Sequence, residues 1–253
     1  MKLDIKKPLL FTAILSPVII VGTLFVGIYQ FNSFNTEIQS QLLEQFGKYE
    51  IFLLGVTIQG LIIASACAFF GYILANKTGL LKAFLFERRK LIKTLIITIV
   101  GGVVFSFDYW TFGKLMPEIN ELTEATLTPV GFISAVLYGG IIEEILLRIF
   151  LMTLFVFLSW KIFFKNIEKE QIPSGIFIAA NILSAILFAA GHLPATMSFF
   201  GDLTPLLIIR CFLFNGSFGI VFGWLYKKYG IQYAMVGHMG FHIISKLIWL
   251  IFI

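Results

Sequence analysis

Charge is what this sequence is short of. Of 253 residues only 13% are Asp, Glu, Lys or Arg, while 58% are hydrophobic and 29 are Phe; mean hydropathy is +0.94. A soluble domain carries roughly 25% charged residues, so the deficit excludes an ordinary soluble protein and leaves a polytopic membrane protein. The net charge of +5 would suggest nucleic acid in a soluble chain. Here the basic residues cluster in a few loops, which reads as a topology signal, so no nucleic-acid partner is expected. Cysteine is nearly absent. Cys67 and Cys211 stand singly in apolar segments and read as small buried hydrophobes, neither a disulfide nor a metal pair. No internal repeat, low-complexity tract or linker divides the chain, so residues 1–253 read as a single membrane domain.

What the sequence does have is long apolar runs. Seven spans can be drawn, at about 8–31, 51–75, 91–107, 129–164, 175–191, 205–226 and 231–253. The fold expected is all-α, a polytopic membrane helix bundle of about seven transmembrane helices with room for an eighth. The start, MKLDIKKPLLFTAIL, resembles the basic n-region of a signal peptide. Its apolar run is too long for an h-region and no A-x-A site follows, so it reads as a retained first helix. The N-terminus, the Lys77–Lys93 loop, the Lys161–Lys169 loop and Lys227-Lys228 are basic, and the loops between them are acidic or nearly neutral. The positive-inside rule then sets the N-terminus inside and the C-terminus outside, in the plasma membrane if the host is bacterial.

One segment fits poorly. Residues 129–164 would form a helix of roughly 54 Å at 1.5 Å per residue, against a bilayer core of about 30 Å. Gly131, Gly139 and Gly140 suggest a break or a re-entrant piece, with the span proper starting near Ile141. The sixth span holds Gly219 and Gly223, a G-x-x-x-G pair read as a close helix approach.

The same awkward segment carries Glu143, Glu144 and Arg148 within GGIIEEILLRIFLM. Each charge at the centre of a membrane helix costs about 2.5–3.5 kcal/mol, so intramembrane carboxylates mark functional sites. Glu144 and Arg148, four residues apart, share a helix face and can pair. Glu143 lies about 100° round the helix and is left to face elsewhere. The chain has three histidines, His192, His238 and His242, and all lie in or at the end of apolar segments. His192 follows Phe188 by one turn, and His238 and His242 share a face.

The set E-E-x-x-x-R (Glu143, Glu144, Arg148), F-x-x-x-H (Phe188, His192) and H-x-x-x-H (His238, His242) resembles the CAAX-protease and bacteriocin-processing family, also called Abi, of intramembrane glutamic endopeptidases. The Rce1-type CAAX prenyl endopeptidase is its eukaryotic relative. The resemblance spans about 129–246, making that the catalytic core and 1–128 generic membrane helix. It implies that Glu143 activates water with His192 as partner, that His238 and His242 stabilise the oxyanion, and that Glu144 and Arg148 support them. His242 stands where CAAX-type relatives have Asn. Asn215, on the sixth span, is a further polar candidate. The expected substrate is a membrane-associated or lipidated protein or peptide within the lipid bilayer, and no cofactor is expected.

Two alternatives follow from the same residues. Glu143, His192, His238 and His242 are all capable of ligating zinc, which would make a metal-dependent membrane protease. A non-catalytic membrane interaction or immunity protein would use the cluster only to hold helices together. The side to which the site opens stays undecided: the charge rule puts His192 towards the outside, whereas the eukaryotic relatives act on cytoplasmic C-termini.

Overall fold

The computed structural model describes residues 5–253; the beginning of the basic N-terminal stretch, residues 1–4, lies outside the described residues. Among the described residues there is no strand, and 85% are helical. The helices are α1 (Lys6–Ser33), α2 (Thr36–Phe46), α3 (Tyr49–Thr78), α4 (Arg88–Ser106), the short α5 (Phe112–Leu115) and α6 (Glu118–Ala125), α7 (Pro129–Ser134), α8 (Thr153–Phe163), α9 (Ser174–Phe200), α10 (Pro205–Cys211), α11 (Ser217–Tyr229) and α12 (Ile231–Phe252). Among the described residues, five helical stretches are long and apolar enough to cross a membrane: α1, α3, α9, the run Pro205–Tyr229, and α12. Leu10, Ile14, Ile62, Ile96 and Leu250 are each more than half exposed on the outside of the bundle, an apolar belt that only lipid can solvate. The chain is a multi-pass integral membrane protein.

Three helix starts and turns fix the frame. Thr128 and Thr204 each accept a hydrogen bond from a first-turn backbone N–H (Gly131 and Leu207), and each is followed by proline at the first helical position. That pairing of an N-cap with a pre-set φ fits the orphan donors of a helix start. Gly230, at φ 114°, turns the chain from α11 directly into α12. A side chain would be strained there, and the tight turn lays the two helices antiparallel.

The segment 129–163 is not broken. It runs without interruption as α7, a π-helical stretch (Ala135–Ile142), Glu143-Glu144, a second π-helical stretch (Ile145–Met152) and α8. The expected break or re-entrant piece is therefore replaced by a continuous helix with widened turns, and Glu143 is well inside it. The glycines serve approach. A Cβ on Gly140 would lie 2.9 Å from the Met239 Cα, and one on Gly139 would lie 2.7 Å from His242 Nε2. Bare backbone at both positions is what lets α12 close onto this helix. Gly219 and Gly223 act likewise towards Ala185 and Asn181 of α9, as expected of their spacing.

Other boundaries also differ from expectation. The fifth span does not end at Gly191: α9 continues through Pro194 to Phe200, so His192 lies inside a helix. A membrane helix tolerates the lost hydrogen bond because neighbours can satisfy the freed carbonyl. The polar loop after the first span is the amphipathic helix α2, capped by Asn35, and the acidic loop at 108–124 contains α5 and α6.

Candidate active site

Helix 129–163, α9 and α12 deliver the catalytic candidates to one cavity of about 220 Å³, whose walls include Glu143, Phe188, His192, Asn215, His238 and His242. All the site residues expected from sequence except Glu144 and Arg148 line it. Those two lie directly behind the wall, each 0% exposed.

The π-helical turns set which way the two glutamates face. The Glu143 N–H bonds back to the Tyr138 carbonyl, five residues earlier, and such widened turns recur at functional sites because they re-aim side chains. Glu143 keeps 15% side-chain exposure on the cavity side while Glu144 has none.

On the cavity side, Glu143 Oε1 stands 3.8 Å from His192 Nε2. His192 Nδ1 is 2.9 Å from the Phe188 carbonyl, which can only accept, so Nδ1 carries the hydrogen. The neutral ring then turns its Nε2 lone pair towards Glu143. Two acceptors face each other at a separation too long for a direct hydrogen bond and suited to one bridging water. The Phe188 ring meets the His192 ring edge-on at 4.6 Å, so Phe188 fixes the imidazole through both carbonyl and ring.

Behind the wall, His238 Nδ1 donates to Glu144 Oε1 at 3.0 Å, and Glu144 Oε2 is 3.3 Å from Arg148 Nε. The Arg148 contact is an ion pair without hydrogen-bond alignment, and the guanidinium nitrogens have no hydrogen-bond partner. Its central carbon lies 5.7 Å from the Phe188 ring centroid, a cation–π placement. His238 is sandwiched between Phe222 at 4.3 Å and His242 at 4.9 Å, both nearly parallel to it. With Nδ1 committed to Glu144, the ring offers Nε2 to the cavity, as an acceptor when neutral and as a donor when protonated. Glu144 accordingly supports His238 more directly than it supports its own helix neighbour. His242 Nδ1 has no hydrogen-bond partner. Asn215 donates to Cys211 Sγ at 3.4 Å, which leaves it a wall residue tied to its own helix.

Sequence reading did not single out several contributors. Phe222 and Tyr138 line the cavity, and aromatic residues are too common here for a sequence signal to separate them. Lys246, one turn beyond His242, is 2% exposed. Asp108, read as part of an acidic loop, is 0% exposed and forms a bidentate pair with Arg210. An arginine inside the sixth apolar run was the available clue. Among the described residues, no three His, Cys, Asp or Glu side chains converge with metal-holding geometry.

Residues 125–244 match the family described as type II CAAX prenyl endopeptidase Rce1-like. The likeness to this family points to a protease in class. Over that segment the chain is similar to the Rce1-like family. No curated protein and no solved structure matches the chain.

Proposed function

We propose that the protein is an intramembrane glutamic endopeptidase that hydrolyses a peptide bond with a water activated by Glu143 and His192. The observation that carries this is the 3.8 Å separation of two hydrogen-bond acceptors, Glu143 Oε1 and His192 Nε2, on the wall of a cavity shared with His238 and His242. A water donating to both acceptors is oriented and made nucleophilic. Glu143 takes one of its protons as the water oxygen attacks the scissile carbonyl carbon, and then passes a proton to the leaving amine. The tetrahedral oxyanion is received by Nε2 of a protonated His238 and by the His242 ring. Donors aimed at that charge typically supply several kcal/mol. Glu144, held by Arg148, orients the His238 ring through its Nδ1. Phe188 orients His192, and Asn215 shapes the wall.

In this reading seven helices cross the bilayer, α4 and 129–163 joining the five that are long and apolar enough by themselves, and the core is 129–246. The chain's own side chains activate the water with no metal. The substrate is a membrane-associated peptide segment. The family's name speaks of prenylated CAAX proteins, and lipidation of this chain's substrate is a corollary of that name alone.

The test is a mass-spectrometric comparison of membrane peptides from cells carrying wild type, Glu143→Gln or His192→Ala at matched abundance. Uncleaved precursors should accumulate in both variants. Identical peptide inventories from all three would overturn the proposal. Stoichiometric zinc in purified protein, lost together with activity on chelation, would replace water activation by the side chains alone with the metal-dependent mechanism.

A further inference from the structure

We infer that the catalytic cavity opens on the extracytoplasmic side of the membrane, so that its substrates are peptide segments exposed to the outer leaflet or the external space, not cytosolic C-termini. The substrate half of this inference rests on the hydrolytic reading of Glu143; the orientation half does not.

The basic clusters separated in sequence are together in space. Lys82 Nζ donates to the Lys228 carbonyl at 2.7 Å, and Gln232 donates to the carbonyls of Ala83 and Leu85, joining the Lys77–Lys93 segment to the α11–α12 turn. Lys77 stands over the Phe157 ring of α8 and shares a surface hollow with Lys161 and Lys169. Lys227 sits over Phe177 at the start of α9, and Lys7 shares a second hollow with Lys82 and Ile231. The described parts of all four basic regions thus occupy one end of the bundle.

The other end is poor in positive charge. Ring contact between Phe34 and Phe199 joins the region after α1 to the end of α9. The Asp108–Arg210 pair joins the end of α4 to α10. Lys48, Lys114, Arg210 and the buried Lys246 are the described Lys and Arg residues in that half; Arg210 is paired with Asp108, and Lys246 lies inside α12 and not in a loop. Lys48 and Lys114 are set among Glu37, Glu44, Glu118, Glu121 and Glu124. Lys and Arg content of short loops decides orientation, whereas acidic residues contribute little. The basic end is therefore cytoplasmic.

The mouth of the cavity is at the opposite end. Its rim is made by Tyr29 and Gln30 in the last turns of α1, Thr126 before the long helix, and Ala195 and Phe199 near the end of α9. Exposure falls inward along the route, from 34% at the His192 side chain to 15% at Glu143 and 4% at His238. Towards the basic end the site is closed by Glu144, Arg148, Ile149, Leu225 and Tyr226, each no more than 1% exposed. A peptide arriving from the basic side would have to pass through that packed floor.

Single-cysteine reporters test the orientation without reference to catalysis. In a background lacking Cys67 and Cys211, Glu37→Cys on α2 and Glu121→Cys on α6 report the mouth end, and Lys165→Cys reports the basic end. Intact cells are treated with a membrane-impermeant maleimide before and after lysis, and a C-terminal tag verifies abundance. Labelling of the Glu37 and Glu121 reporters in intact cells, with the Lys165 reporter labelled only after lysis, is expected. The reverse pattern overturns the inference. The peptide comparison between wild type and Glu143→Gln supplies the second arm: cleaved bonds should map to extracytoplasmic or outer-leaflet segments, and cleavage confined to cytosolic C-termini overturns the substrate class. An unchanged peptide inventory with the expected labelling would refute the peptidase reading and leave the orientation standing.

Discussion

Glu143 and Glu144 occupy opposite sides of one helix wall. On the Glu144 side nothing is loose: the carboxylate has no exposure and touches both His238 and Arg148 within 3.3 Å, and its neighbours Ile145 and Ile149 are fully buried. On the Glu143 side the nearest ionisable partner stands at 3.8 Å, and that histidine keeps 34% side-chain exposure. A fully buried charge cluster, with the carboxylate hydrogen-bonded to His238 and ion-paired with Arg148, is organised for position. A carboxylate that faces a histidine across a gap has room for a reactant. On the proposed reading, two residues of identical chemistry separate into a support and a reacting group because adjacent positions on a helix flanked by π-helical turns face different surroundings.

The comparison is broken most directly at Glu143. Glu143→Gln removes the base while preserving shape and hydrogen-bonding capacity, so turnover should fall by about 10²–10⁴-fold with the thermal unfolding midpoint in detergent nearly unchanged. Hydrolysis of an identified substrate by purified protein measures the first, and a melting curve of the same sample the second. A variant that retains full activity would assign Glu143 to structure, as its neighbour is.

The opposite pattern is expected across the wall. Arg148→Leu leaves the Glu144 carboxylate fully buried without its cation, and losing one partner of a buried pair costs about 3–5 kcal/mol. Folded protein and activity should therefore fall together, read by unfolding and by abundance in the membrane fraction. Loss of activity with an unchanged melting curve would show that Arg148 acts at the reacting side.

How much of this was legible in the sequence depends on the kind of feature. Charges in apolar runs are visible because they are costly, so Glu143, Glu144, Arg148 and the three histidines stood out, and the cavity brings most of them to one surface. The spans drawn from 129 and 205 begin where the structure begins α7 and α10, each behind a threonine cap. Packing was not legible. Gly139-Gly140 reads as a break until α12 is seen lying against it, since a bare backbone has the same sequence whether it bends or is approached. Hydropathy carries the fifth span only to 191, because it weighs composition and not whether neighbouring helices compensate the hydrogen bond missing at Pro194. The widened turns around Glu143 left no sequence mark, and Phe222 stacking on His238 is one phenylalanine among many.

A third variant tests whether the glycine wall sets the site. Gly139→Ala places a methyl 2.7 Å from His242 Nε2 and 3.8 Å from Glu143 Oε2. The imidazole must shift, and overpacking of this kind costs about 1–3 kcal/mol. Activity should fall roughly tenfold, the equivalent of about 1.4 kcal/mol, with little change at the Glu144 pair. The melting curve separates the two regions: a large loss of stability with retained activity would mean that the methyl disturbs packing behind the wall and not the reacting side.

The smallest effect is expected where one donor replaces another. His242 stacks on His238 and leaves Nδ1 without a hydrogen-bond partner, so its contribution to a developing oxyanion is a single ring N–H. Asparagine at the same position offers an amide N–H on a shorter side chain and removes the stacked ring. His242→Asn should therefore retain activity within about threefold, less than 1 kcal/mol. His242→Leu preserves apolar bulk but has no donor and should lose about 10²-fold, the scale of one oxyanion donor. Turnover of both variants, with KM measured alongside, distinguishes donation from packing. If Asn falls as far as Leu, the stacked ring and not its N–H is what His242 supplies, and the reacting side depends on the same rigid packing as the Glu144 side.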